Sequence, residues 1–416
     1  MKRAWLYCFP ALFLPNLGFG RVTEFGVFEL SDVLIVPYVA LVCLAPRCRR
    51  PTLLSKSFPL MLVFVAWALA TDLMIDFRYG YTDQHYMTVG LLKLAKFVLY
   101  GVAGILTSRA LVDATTRRYF TRSLIVAGLI VGLGLFTVGQ KTAQKNRAQY
   151  AGYKASNQVS VSAAILACYV AGLRLRRTSM GRQDRHLALA SLVVMAAGSG
   201  ISEGRGGWVA GIAGLLYLCL NGLSRRKAIA LMTGTIVFAF ILYSYSPVFR
   251  HRVYMTLHPE TERLEPSIAG IDDGSRPQAW GEGLSQFDSP LLGTGFFHRA
   301  GESGLWMSGS HNFFLQMFLE TGVPGGLLIL VIFCGFWRYS GSHEARVNGF
   351  ALPARAALVA AFVGGQSGEY FYGGIGLLTL LAVYAECGSL TVRPPVAMAG
   401  LVRIARQLYA QGTRSR

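Results

Sequence analysis

Charge is scarce in this sequence. Asp, Glu, Lys and Arg make up 15% of its 416 residues, where a soluble globular domain carries about 25%. An ordinary soluble enzyme is thereby excluded. A hydrophobic share of 53% and a mean hydropathy of +0.43 exclude a disordered chain as well. Acids are the rarer sign, 21 against 40 Lys and Arg. Cysteine is sparse too: seven residues, none at C-x-x-C spacing, most inside apolar runs. That argues against a disulfide framework or a zinc site and for thiols packed as small hydrophobes. HExxH, P-loop, G-x-S-x-G and kinase motifs are all missing. Asp272-Asp273 stands beside Gly274 and reads better as a solvated turn than as a metal-ligand pair. No metal and no cofactor is expected.

Long apolar runs are what the sequence does have, several exceeding the ~17 residues a helix needs to cross a bilayer. The expected fold is all-α and polytopic, with about twelve transmembrane helices near 4–20, 30–46, 57–77, 88–108, 122–140, 157–174, 186–201, 207–222, 228–246, 311–336, 354–368 and 373–388. The first, seventh and eleventh are short or broken. Met1-Lys2-Arg3 begins like a signal peptide, but no A-x-A site follows, so the first run is expected to stay as a helix. With the N-terminus inside, 26 of the 40 basic residues fall on cytoplasmic segments, and most acids fall outside. The positive-inside rule then puts both termini in the cytoplasm. The net charge of +19 is thus read as cytoplasmic loops and contact with anionic membrane lipid, not as nucleic-acid binding. The expected organisation is helices one to nine over 1–246, a large periplasmic loop over 247–310, helices ten to twelve over 311–390, and a cytoplasmic amphipathic tail over 391–416. A structureless loop of that length is usually functional or disordered. Within it "AWGEGLSQF" reads as a short amphipathic helix and "GTGFF" as a glycine turn.

Three places on the outer side carry residues fit for chemistry. In "GISEGRGGWVAG" Arg205 stands among glycines at a hairpin tip, where a charge is costly unless solvated or paired. It either binds a ligand or snorkels and pairs with Glu203. In "GSRPQAWGEG" Arg276 precedes an apparent amphipathic turn bearing Trp280, a setting that suits a phosphate or is simply exposed. In "SGSHNFFLQMFLETGVPGG" Ser308 or Ser310 is expected to cap helix ten, with His311 and Asn312 in its first turn. A histidine there can take a proton from a hydroxyl. Asn312, Gln316 and Glu320 recur at spacing four as a polar stripe. Lys93 and Lys96 either line an anionic cavity or pair with an acid.

Taken together, these segments resemble the O-antigen ligase and polymerase superfamily. "SHNFFLQMFLETGVPGG" is similar to its HN-x-x-L-x-x-x-x-E-x-G-x-x-G signature, and "RPQAWGEGLSQFDSPLLGTGF" to the segment that precedes it. "EGRGGWVAG" resembles its S-R-G-x-W-x-A turn, departing just before the arginine, and "ASNQVSVSAAIL" a weaker helix start. The likeness covers roughly residues 150–335. It implies a metal-independent, inner-membrane glycosyltransferase whose site faces the periplasm. The donor it implies is an undecaprenyl-pyrophosphate-linked glycan; the acceptor, for the ligase branch, is a hydroxyl of lipid A–core. Carried over by motif, His311 activates the acceptor, and Arg205 and Arg276 hold the pyrophosphate. Asn312, Lys93, Lys96, Arg252, Arg299 and Trp280 rank lower as substrate contacts. Trp280, Phe296, Phe297 and Trp306 offer sugar-stacking surfaces or interfacial anchors. The single large loop favours a ligase. Lys141, Lys145, Arg147 and Lys154, as a second basic loop, keep a polymerase in view, with a protein O-oligosaccharyltransferase third. A lipid or polysaccharide transporter is the non-enzyme alternative, and transporters place charged sites near the midplane rather than at one face.

Overall fold

The computed structural model describes residues 3–14, 30–46, 52–79, 84–111, 113–142, 156–175, 180–201, 205–247, 249–250, 253–254, 281, 284–285, 289–296, 312–366, 371 and 374–388. Most of the loop over 247–310 and the whole 391–416 tail lie outside the described residues. Among those described, every regular element is helical: α1 (Ala4–Cys8) running into a 3-10 turn (Phe9–Phe13), α2 (Leu30–Cys43), α3 (Leu53–Tyr79), α4 (Gln84–Ala110), α5 (Ala114–Thr142), α6 (Ser156–Leu175), α7 (Arg182–Ile201), α8 (Arg205–Gly222), α9 (Arg225–Tyr245), α10 (Phe313–Ser340), α11 (His343–Val347), α12 (Ala351–Gly365) and α13 (Gly374–Gly388). Leu54–Ile75, Gly90–Ala110, Ala114–Phe136, Arg225–Tyr245 and Phe313–Ser340 are long and apolar enough to cross a membrane, and six shorter apolar helical stretches accompany them. The chain is an all-α polytopic membrane protein.

Two differences from the sequence expectation have local causes. α5 begins eight residues before the expected 122, because Asp113 accepts from the Thr116 amide at 2.6 Å and its hydroxyl at 2.8 Å, an N-cap. Arg117, Arg118 and Arg122 therefore lie on a helix rather than in a loop. Among the described residues the first run is helical from Ala4 to Phe13, and Leu14 is extended.

The innermost helices are α6, α12 and α13, whose side chains are buried almost throughout. In a bilayer there is little hydrophobic drive between helices, so close approach of backbones through small residues does the work. α12 is built mainly of Ala and Gly. A Cβ on Gly172 of α6 would lie 2.7 Å from the Pro353 Cα of α12. α9 buries nothing and presents Ile236 and Phe240 outward, as a lipid-facing helix must.

The contacts fix which helix ends lie together. The start of α6, at Ser160 and Val161, meets Gly207 of α8 and Gly364 of α12. Further along α6, Tyr169 donates to Glu386 of α13 at 2.8 Å, and Thr121 of α5 bonds the same carboxylate. One end of the bundle thus gathers the starts of α6, α8 and α10 with the end of α12. The opposite end gathers the starts of α5 and α7 with the end of α13.

Candidate functional site

The first of these ends holds the described part of the site. α10 starts where it does because Asn312 is extended (φ −139°, ψ 110°) and its side-chain oxygen accepts from the amides of Phe314 at 3.1 Å and Leu315 at 3.2 Å. Asn312 is the cap, in place of the expected Ser308 or Ser310, so it and His311 are not in the first turn; His311 precedes the helix in the chain. The Asn312 amide nitrogen donates to Gln366 Oε1 at 2.8 Å. Gln366 is the C-cap of α12, so this bond ties the start of α10 to the end of α12. Phe313 and Phe314 lock the joint with edge contacts to Phe371 at 5.2 Å and Phe333 at 5.1 Å. Gln366 escaped the sequence reading, since nothing local marks a partner 54 positions away.

The expected polar stripe is real but inward. Gln316 donates to Glu320 at 2.7 Å, and both are buried, Glu320 completely. Directly after Glu320 the helix breaks, which the unbroken apolar run did not announce. Gly322 takes φ +68°, and Pro324 has no N–H to give to the Glu320 carbonyl. Three of the displaced main-chain groups are re-paired by the segment "SPLLGTGF". Thr294 N–H donates to Leu319 O and Gly295 N–H to Glu320 O, both at 2.9 Å, while Val323 N–H donates to Pro290 O at 2.8 Å. Trp67 of α3 donates its indole N–H to Thr321 O at 2.8 Å. In lipid such groups have no water to turn to, so a broken helix must be satisfied by protein. The two backbones interlock too closely for side chains: a Cβ on Gly293 (φ +71°) would lie 2.5 Å from Leu319 O, and one on Gly322 would fall on the Leu291 carbonyl. The E-x-G-x-P-G and P-L-L-G-x-G-F elements are thus two halves of one joint. Gly293 and Gly295, both at positive φ, form the glycine turn that "GTGFF" suggested.

Arg205 is the first residue of α8. Its hairpin is closed by Trp208, which donates to the Ser199 carbonyl of α7 at 2.6 Å and lies 4.7 Å from the Phe249 ring. Gly207 lets α8 touch α6, since a Cβ there would lie 2.6 Å from the Ser160 carbonyl. The contact of Gly364 with Val161 and Ala210 places this start beside the α12 end that holds Gln366 and Asn312. Arg205 and Asn312 thus occupy the same end of the bundle. Lys96 takes the second of its two alternatives: it pairs with Asp32 of α2 at 2.6 Å, and Tyr100 donates to the other carboxylate oxygen at 2.9 Å. Lys93 is half-buried on the same helix. Phe296 is no sugar-stacking surface. It is 3% exposed and packs on Phe64, 6.3 Å between centroids, because the loop joint draws it into the core. His311, Arg276, Arg252, Arg299, Trp280, Phe297 and Trp306 lie outside the described residues, as does the Arg205 side chain.

No curated protein matches the chain. Residues 190–330, about a third of it, match the sequence model of the family described as O-antigen ligase. That stretch runs from α7 through the large loop to the break in α10, and with it the chain carries a domain of the O-antigen ligase superfamily.

Proposed function

We propose that the protein is an inner-membrane glycosyltransferase that moves a glycan from undecaprenyl pyrophosphate to a sugar hydroxyl of lipid A–core at the periplasmic face, both termini being cytoplasmic. The observation that carries the reading is the convergence of the α8 start, which bears Arg205, with the α10 cap that immediately follows His311, inside the matched stretch. In this reading His311 takes the proton of the acceptor hydroxyl as its oxygen bonds to the anomeric carbon. The bond from that carbon to the phosphate oxygen breaks, and undecaprenyl pyrophosphate departs. Forked hydrogen bonds from Arg205 and Arg276 offset the charge that develops on the leaving group. A single displacement inverts the anomeric centre.

The test supplies purified protein with carrier-linked glycan and lipid A–core. A ligase yields acceptor-linked glycan, a polymerase a longer carrier-linked chain, and a transporter neither. His311→Ala is expected to lower the rate by about 10²–10⁴ with the unfolding profile unchanged. Full activity in that variant removes the base assignment.

A further inference from the structure

The end of the bundle away from Asn312 contains a cavity of about 430 Å³, lined by Ala114, Thr115, Arg118, Tyr119 and Arg122 of α5. Its two guanidiniums are held from behind. Asp184 of α7 accepts from Arg118 Nε and Nη2, each at 3.3 Å, through one oxygen; through the other it accepts from Arg122 Nε at 2.8 Å, with Arg122 Nη2 2.7 Å away in the ion pair. The carboxylate side chain is 6% exposed, whereas Arg118 is 59% and Arg122 41% exposed. A guanidinium has five N–H donors, so each arginine is oriented by one edge and still presents donors to the cavity. Arg3 stands 5.6 Å from the Tyr119 ring centroid at the same rim. The α5 N-terminus is not the anion binder, because Asp113 already accepts the Thr116 amide. At this end Arg3, Arg117, Arg118, Arg122, Arg182 and Arg185 outnumber Asp113, Asp184 and Glu386, which leaves an excess of positive charge.

The depth is also defined. Thr121, one turn from Arg118 and next to Arg122, shares Glu386 with Tyr169. Tyr169 is about 20 Å along α6 from Ser156 by the helix rise. The cavity therefore belongs to the other membrane face from the candidate transfer site.

We propose that this cavity binds the phosphodiester of an anionic phospholipid headgroup. A phosphodiester offsets part of that excess, and two pre-oriented arginines match its oxygens by forked hydrogen bonds. Basic pockets between transmembrane helices at the cytoplasmic side hold such headgroups. The site is separate from glycosyl transfer and stands whether or not that reading does.

The experiment uses the full chain in detergent micelles doped with phosphatidylglycerol or with zwitterionic phosphatidylcholine, and lipid adducts are counted by native mass spectrometry. Phosphatidylglycerol is expected to bind at least about tenfold more tightly. Arg118→Gln/Arg122→Gln/Asp184→Asn removes the three charges yet keeps hydrogen-bonding amides, and is expected to abolish that preference. Equal binding of the two lipids by the native chain, or an undiminished preference in the variant, overturns the proposal. Should the variant not fold, protection of Arg118 and Arg122 in the native chain from phenylglyoxal decides. Protection by phosphatidylglycerol alone supports the headgroup, equal protection by inorganic phosphate makes free phosphate the ligand of the same site, and protection by neither overturns it.

Discussion

The two ends of this bundle are held by different means. At the Asn312 end the joints are main-chain carbonyls, amides and neutral side chains: the Asn312 cap with its bond to Gln366, and the re-paired break at Gly322. At the Arg118 end they include ion pairs, two arginines on Asp184, beside the Glu386 carboxyl shared by two hydroxyls. The Asn312 cap and the main-chain bonds at Gly322 do not compete for a charged substrate, and their geometry does not depend on protonation. A frame of ion pairs is itself a charge site. The sharpest way to break this contrast is at its tightest point. Gly322→Ala forces a side chain into positive φ and onto the Leu291 carbonyl. It is expected to cost at least about 3 kcal/mol and transfer activity with it, read from unfolding in mixed detergent. Gly335→Ala, where only Tyr339 lies near at 3.8 Å, is expected to be neutral or stabilising by up to about 1 kcal/mol. Equal tolerance at the two positions would dismantle the interlocked joint.

The one described ion pair on the Asn312 side of α4 tests the contrast from the other direction. Asp32→Asn leaves the half-buried Lys96 charge without its 2.6 Å partner. It is expected to lose about 2–4 kcal/mol, with most regained in Asp32→Asn/Lys96→Met, while the KM for the lipid-linked donor holds. If the KM rises about tenfold at unchanged stability, Lys96 is a substrate contact after all, and this end also depends on a cation.

These tests address features that the sequence disclosed unequally. Apolar runs found the helices, because bilayer thickness sets one length scale for all of them. They did not find the ends. Asp113 moved α5 outward under a basic, loop-like stretch, and Asn312 displaced two serines that are equally good caps in isolation. The break at Gly322 was hidden, since a run that is apolar on both sides of "TGVPGG" reads as continuous. Motif order brought Arg205 and Asn312 to attention, and the fold sets them at one end. Gln366, Asp32 and the arginine cavity were illegible for a common reason: each acquires meaning from a partner on another helix.

Gln366 offers a smaller and more specific effect. Gln366→Ala is expected to reduce kcat about tenfold through misplacement of the segment before α10, with the donor KM and the unfolding profile nearly unchanged. Gln366→Glu keeps the oxygen that accepts from Asn312 and is expected to recover most of the rate. A loss confined to stability would make the bond a structural tie with no bearing on His311.

The smallest effect separates the two ends by pH. Both Asn312 and Asp113 cap a helix, but only Asp113 carries charge. The Thr116 amide, and more weakly its hydroxyl and Arg3, hold the Asp113 carboxyl below its usual 3.8. Because the folded value lies below the unfolded one, the cap stabilises fully above about pH 4 and fades as the pH falls through the lowered value. Asp113→Ala is expected to cost about 0.5–1 kcal/mol at neutral pH and nothing further in acid. Asp113→Asn keeps the cap and flattens the acid limb. Asn312→Ala is expected to lose a similar amount at every pH, since no proton enters its bonds. Parallel acid limbs for Asp113→Ala and Asn312→Ala would mean that charge does not distinguish the two caps, and the division between a neutral and an ionised end would fail at its simplest test.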